Sequence, residues 1–247
     1  MNVHVHARTD IGLRRSQNED HHAWWVSGAA RPDSLAVLVV ADGMGGARAG
    51  EVASQIAADA VLAAGRNLEA TATPEDLRDI VESANHVVHQ ESLANPERHG
   101  MGTTCTAMIV RGGEAVFAHV GDSRAYLIRQ GTIRQLTRDH SLVAQLVEFQ
   151  HLTPEQAKVD PRRNVVTRSL GVGPSVEVDT GAIALEDGDT LLLSSDGLHG
   201  LVEDDELLQH ASDSDLDRAC GALIDLAKAR GGHDNITVIL ARIADRE

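Results

Sequence analysis

Aromatic side chains are nearly absent from this chain: two Trp, two Phe and a single Tyr serve 247 residues. Val, Leu, Ile and Ala must therefore fill the interior. Few rings remain to stack on unpaired bases, which argues against single-strand nucleic-acid binding. Basic charge is scarce as well. The 22 Lys and Arg face 37 Asp and Glu, a net charge of −15, which is the wrong sign for gripping a phosphate backbone. No nucleic-acid partner is expected. Cysteine occurs twice, at Cys105 and Cys220, far apart and in no paired motif, so disulfide dependence is not expected. Cys105 falls in a strand pattern and Cys220 on the apolar face of a helix pattern; both read as small buried hydrophobes, in keeping with a reducing compartment. No apolar run approaches the ~20 residues of a membrane span. The opening Met1-Asn2-Val3-His4-Val5-His6 lacks the apolar centre of a signal peptide. The expectation is a cytoplasmic protein, monomeric and without a membrane partner.

What is present is an ordinary globular composition, 42% hydrophobic and 24% charged, long enough to bury a core without disulfides. Strand patterns at about 3–9 and 22–26 precede the run Leu35-Ala36-Val37-Leu38-Val39-Val40, whose unbroken apolarity predicts a central strand covered on both faces. A helix follows, with Val52, Ile56 and Ala60 beside Ala53, Ala57 and Val61. A second helix opens at Thr73-Pro74-Glu75-Asp76, a cap residue followed by proline and early acids. Its Leu77, Ile80, Val81, Ala84, Val87 and Val88 keep helical spacing. Short runs at about 103–110, 114–120, 124–128 and 133–136, separated by Gly-containing turns, predict an antiparallel meander. Residues from about 141 to 170 are polar and broken, with one short helix at Thr153-Pro154-Glu155-Gln156, a capping box. Strands resume at about 176–183 and 190–194. A last helix carries Leu216, Ala219, Cys220, Leu223, Ile224 and Ala227, and 236–240 forms the closing strand. Helices set between groups of antiparallel strands imply an α+β layered fold over a single domain, 1–247.

Several acids share one context, an apolar strand running into Asp with a turn residue after it: Val40-Ala41-Asp42-Gly43, Val120-Gly121-Asp122-Ser123 and Ser194-Ser195-Asp196-Gly197. Gly232-His233-Asp234-Asn235 inverts the order, and Glu19-Asp20 precedes a strand. A lone Asp-Gly is a turn former, but strand ends meet at a sheet's rim, where repeated carboxylates can converge. Crowded acids need a cation, and oxygen ligands without Cys or paired His favour Mg²⁺ or Mn²⁺. Glycine beside a ligand lets a backbone carbonyl approach the ion.

These motifs resemble the bacterial form of the metal-dependent, type-2C serine/threonine protein phosphatases. The match runs in family order from Thr9-Asp10-Ile11-Gly12-Leu13-Arg14-Arg15-Ser16-Gln17-Asn18-Glu19-Asp20 through Ala41-Asp42-Gly43-Met44-Gly45-Gly46 and Gly100-Met101-Gly102-Thr103-Thr104. It continues through Gly121-Asp122-Ser123, Asp139-His140-Ser141 and Asn164-Val165-Val166-Thr167-Arg168 to Ser195-Asp196-Gly197 and Asp234-Asn235-Ile236-Thr237. The resemblance implies a four-layer α-β-β-α sandwich, two packed antiparallel sheets flanked by helices, with two or three Mn²⁺ or Mg²⁺ ions at one end. It implies that Asp42 bridges two metals, that the Gly43 carbonyl completes one site and that Asp196 and Asp234 hold the other. Glu19 and Asp20 match positions that touch metal-bound water, Arg15 matches the arginine that grips the substrate phosphate, and Asp122 matches a ligand of a third, weaker metal. The segment at about 141–170 lies where the family carries a flap. The implied partners are phosphorylated proteins, opposite a serine/threonine kinase.

The chemistry agrees. A water between two cations about 3.5–4 Å apart loses its proton readily and can attack phosphorus in line, while Arg15 offers a planar, permanently charged fork for phosphate oxygens. Two rivals are a pseudophosphatase that binds phosphoproteins without turnover, disfavoured because Asp42, Asp196 and Asp234 are all present, and a different two-metal hydrolase of nucleotides or nucleic acid, disfavoured by the acidic charge and the family order of the motifs. Departures from the family pattern are Met44, which cannot donate a proton where some members carry His and leaves a metal-bound water as the acid, Ala47 at a commonly polar position, and Asp160 in place of a common His. His199 and His233, close in sequence to presumed ligands, read as residues of the cleft mouth.

Overall fold

A computed structural model describes residues 1–27, 35–45, 49–68 and 72–244. Gly46 and Ala47 lie outside the described residues. The strands are β1 (Asn2–Asp10), β2 (Asp20–Val26), β3 (Ala36–Met44), β4 (Gly102–Thr103), β5 (Cys105–Arg111), β6 (Glu114–Val120), β7 (Arg124–Arg129), β8 (Thr132–Gln135), β9 (Asp179–Ala184), β10 (Thr190–Ser194) and β11 (Ile236–Ala244). The helices are α1 (Ala49–Gly65), α2 (Pro74–Ala94), α3 (Leu142–Glu148), α4 (Pro154–Val159), α5 (Asp196–His199), α6 (Asp204–Ala211) and α7 (Leu216–Ala229).

One sheet has the order β1-β11-β10-β7-β8 and the other β2-β3-β5-β6-β9, with β4 pairing with β3. Every pairing is antiparallel. The two-residue period of a strand explains the layering. In β3, Val37, Val39 and Ala41 pack with α1 and α2, whereas Ala36, Leu38 and Val40 face the second sheet. In β11, Ile239, Ala241 and Ile243 join that central layer, whereas Ile236, Val238 and Leu240 pack beneath α5, α6 and α7. Three apolar layers thus separate four structural ones, as the resemblance implies. Cys105 and Cys220 are buried and unpaired in the outer layers. No helix among the described residues is long and apolar enough to cross a membrane.

Local signals hold where they are chemical. Thr73 caps α2 with a reciprocal Asp76 box, and Thr153 caps α4 with Gln156. Three expectations need correction, and two helices were not expected. The meander is two hairpins in two sheets: β5 and β6 belong to one, β7 and β8 to the other, and the chain crosses between them at 121–123. β5, β6 and β7 are largely buried on both faces, so their pattern does not distinguish a neighbour in the same sheet from one in the facing sheet. The polar segment holds two helices, because Ser141 caps α3 through the Ala144 N–H. The strand expected from about 176 starts at Asp179. The short α5 and α6 lack a long enough apolar period to be read.

Candidate metal centre at the rim of the sandwich

The acids arrive by different routes. Asp42 lies inside β3, which runs on to Met44, and stands directly opposite Asp20, the first residue of β2. Like charges so paired are unfavourable in a sheet. Asp122 sits in the crossover, Asp196 is the first residue of α5 and Asp234 lies two residues before β11.

Glycine permits the packing at Asp42. A Cβ on Gly43 would fall 2.1 Å from the Gly50 carbonyl oxygen and 2.6 Å from that of Glu19, and one on Gly50 would meet the Glu19 carboxyl at 2.9 Å. The first turn of α1 therefore closes on β3 and on the loop carrying Glu19. Ser54 Oγ donates to the Glu19 carbonyl at 2.6 Å, and the Gly43 N–H donates to it at 3.0 Å.

The carboxyls feel one another. Burial, followed by repulsion from Asp20, Asp196, Asp122 and Asp234, holds Asp42 well above the ordinary carboxylate range. Burial and then Asp196 and Asp234 push Asp20 up to about 7, against hydrogen bonds from Ser195 and Thr237. Burial with Asp196 and Asp139 lifts Asp122 to about 8, and burial with Asp234 lifts Asp196 to about 6. Burial also raises Glu19, opposed by Arg15. The structure thus brings Glu19, Asp20, Asp42, Asp122, Asp196 and Asp234 into one electrostatic neighbourhood.

Among the described residues, no three His, Cys, Asp or Glu side chains are gathered into a ready-made coordination shell. Two oxygens nevertheless point to a cation. Asp20 Oδ1 and Asp196 Oδ1 are buried without any hydrogen-bond partner, and a buried carboxylate oxygen left so is costly. On Asp20 the arrangement is asymmetric: Ser195 Oγ and Thr237 Oγ1 donate to Oδ2 at 2.6 and 2.7 Å, leaving Oδ1 as the free acceptor. All the donors are oxygens, the set suited to Mg²⁺ or Mn²⁺. The residues fit such an ion.

Arg15 reaches the cluster through Asp234. Its Nη2 donates to Asp234 Oδ2 at 2.7 Å, while its side chain stays 49% exposed and that of Asp234 25%. His199 is half-buried: its Nδ1 meets Ser194 Oγ at 3.0 Å, and burial with Arg124 nearby lowers it to about 3. His233 is exposed, folded against Gly231. Asp160 is turned onto its own loop, accepting from Arg162.

Sequence motifs contained, without a role, the residues that hold the acids in place. Thr104 Oγ1 accepts from the Asp42 N–H at 2.8 Å and lies 2.8 Å from Ser123 Oγ, linking two of the acidic turns. Asn235 accepts from the Glu19 N–H and donates to the carbonyls of Ile11 and Gln17, which fixes the loop bearing Arg15. Thr104, Ser195 and Thr237 are fully buried. Hydroxyls within or directly beside apolar strands were the available signal.

A protein phosphatase 2C family model matches residues 14–234. A serine/threonine phosphatase stp of Listeria welshimeri is 39% identical over 243 residues, covering 96% of this chain and 95% of that protein. The crystal structure of the Mycobacterium tuberculosis serine/threonine phosphatase PstP/Ppp superposes with a TM-score of 0.89 at 35% identity, over 98% of this chain and 99% of that one. A PstP catalytic domain in complex with two manganese ions, also 35% identical, gives 0.86 over 98% and 99%. A match this long, to proteins this similar along their whole length, places the chain in the protein phosphatase 2C family.

Proposed function

We propose that the chain hydrolyses phosphoserine and phosphothreonine in proteins, with two divalent cations held by Asp42, the Gly43 carbonyl, Asp196 and Asp234. The observation that carries this reading is the pair of buried, unpartnered carboxylate oxygens on Asp20 and Asp196 within a ring of acids. The manganese in a related PstP domain supports it. Bound there, the cations would activate water as the in-line nucleophile and neutralise phosphate charge. The chain's own residues do the rest. Asp20, fixed by Ser195 and Thr237, presents one oriented oxygen to the site. Glu19, held by Asn235 and Ser54, lines its edge. Arg15 uses one terminal nitrogen on Asp234 and keeps its remaining donors for phosphate oxygens.

In the same reading, Asp122 serves a third, weaker cation and residues 141–170 form a flap over the cleft. The ends of that segment support this. The His140 N–H donates to the Gly121 carbonyl beside Asp122, and Leu170 exchanges both backbone hydrogen bonds with Thr103, near Asp42. The protein acts as a monomer in the cytoplasm, opposite a serine/threonine kinase; two buried, unpaired thiols suit that compartment.

The test is phosphate release from a phosphothreonine peptide with Mn²⁺ and then with chelator. Turnover should require the metal. Asp196→Asn and Asp234→Asn should abolish it while each variant still unfolds cooperatively. Peptide binding without phosphate release would leave the pseudophosphatase reading in its place.

A further inference from the structure

His140, in the middle of the Asp139-His140-Ser141 run, has no part in the chemistry above, yet it is 6% exposed and bonded on every side. Its backbone N–H donates to the Gly121 carbonyl at 2.7 Å, and its Nδ1 stands 3.0 Å from the Gly121 N–H. An amide N–H can only donate, so Nδ1 must present its lone pair. The neutral ring then carries its proton on Nε2, which faces Asp179 Oδ2 at 3.2 Å. Arg168 Nη1 lies 3.0 Å from the same Nε2 but is itself a donor. The two nitrogens therefore do not bond each other; they share Asp179, whose Oδ1 takes Arg168 at 2.7 Å. One tautomer satisfies every partner.

The clamped residue is special. Gly121 has φ 113°, and a Cβ there would fall 2.5 Å from Thr104. It is the point at which the chain leaves one sheet for the other, and Asp122 comes next. The other side of His140 is tied to the segment read as a flap: its carbonyl accepts from the Thr167 N–H at 2.8 Å, and Ser141 bridges Val166.

We infer that His140 is a positioning residue for Asp122: by grasping both backbone groups of Gly121, it sets where the Asp122 carboxylate stands and joins that carboxylate to the flap and, through Asp179, to β9. The inference rests on the reading of Asp122 as a ligand of the weak cation. Partners that orient a ligand in this way are commonly worth about 10- to 100-fold in metal affinity.

Two substitutions separate position from bulk. Asn hangs its oxygen from Cγ, where Nδ1 hangs, and can still accept from Gly121; Gln places its amide at the reach of Nε2 and cannot. Calorimetric Mn²⁺ titration of the full chain, with thermal midpoints and kinetics on a phosphothreonine peptide, reads the result. His140→Gln should weaken the weakest Mn²⁺ step by about 10- to 100-fold and leave the tight steps alone. Its kcat should recover as Mn²⁺ is raised, with KM little changed. His140→Asn should keep the weak step. Equal loss in both variants, no loss in His140→Gln, or loss of the tight steps as well would overturn the inference. Asp122→Asn distinguishes the underlying reading. If it leaves every binding step intact, Asp122 is not a ligand and the inference fails with it. If it removes the weak step and His140→Gln does not, only the role of His140 fails.

Discussion

Asp20 and Asp42 face each other across the β2–β3 ladder, and that juxtaposition has a consequence in pH. Unfolded carboxylates titrate near pH 4, whereas burial and mutual repulsion place folded Asp20 at about 7, Asp122 at about 8 and Asp42 well above its usual range. The folded state therefore binds extra protons. Stability from these groups is fully present below the unfolded values and is lost as pH rises through the folded ones. Histidines have the opposite sign: His199 at about 3, His119 at about 4 and the lowered His22 and His140 add stability as pH approaches about 6.5 and give no further slope above it. Between pH 6.5 and 8.5 the acids set the trend. Chelated protein should thus have a lower thermal midpoint at pH 8.5 than at 6.5, and Mn²⁺, which needs ionised ligands, should raise the midpoint more at 8.5. Scanning calorimetry with and without chelator decides it; a midpoint that climbs with pH in chelator contradicts the pairing. Arg15 gives a second prediction at this scale. Arg15→Ala should lower kcat/KM by about 10²-fold if the fork also steadies transition-state charge, and Arg15→Lys should recover only part, because an ammonium lacks the fork. Equal kcat/KM for the three forms would place the phosphate grip elsewhere.

At the scale of elements, the site depends on how closely α1 can approach β3. Gly→Ala within a helix ordinarily stabilises it by about 0.5–1 kcal/mol. At Gly50 the added methyl would lie 2.8 Å from the Gly43 carbonyl carbon and 2.9 Å from Glu19. The Glu19 side chain can swing away; the Gly43 backbone cannot. Gly50→Ala should therefore reverse the usual sign, costing about 1–3 kcal/mol as overpacking does, and weaken Mn²⁺ binding because Gly43 and Glu19 shift together. Urea unfolding and metal titration of the variant measure both effects. A stabilised variant with unchanged metal affinity would mean that α1 is not seated on the site. The crossover between β6 and β7 is the other decisive element: by changing sheets at Gly121, the chain brings Asp122 into the electrostatic neighbourhood of Asp42 and Asp196.

For the whole molecule, a net charge of −15 makes the surface repel acidic ligands and attract basic ones, an effect that salt screens. Among phosphopeptides of equal length, those rich in Arg and Lys should show the higher kcat/KM at low ionic strength, and their advantage should shrink as salt is added. Acidic phosphopeptides should gain with salt. Steady-state kinetics across an ionic-strength series read this directly, and parallel salt curves for the two peptide classes would show that substrate capture is local to the cleft.

Strand and helix periods, the Thr73 cap, the Thr153 capping box, and the acids flanked by turn residues are short-range features, legible because a few neighbouring side chains determine them. So is the burial of both faces of β3. What only the tertiary structure decided is which distant groups meet. The hydroxyls of Ser195 and Thr237 close on Asp20, His140 turns its lone pair to Gly121, Arg15 reaches Asp234, and β6 and β7 part into different sheets. Alternation along a strand records only which side chains are buried. When both faces are covered, the same pattern suits either sheet, and the partners of a buried hydroxyl or imidazole are fixed only when the layers pack.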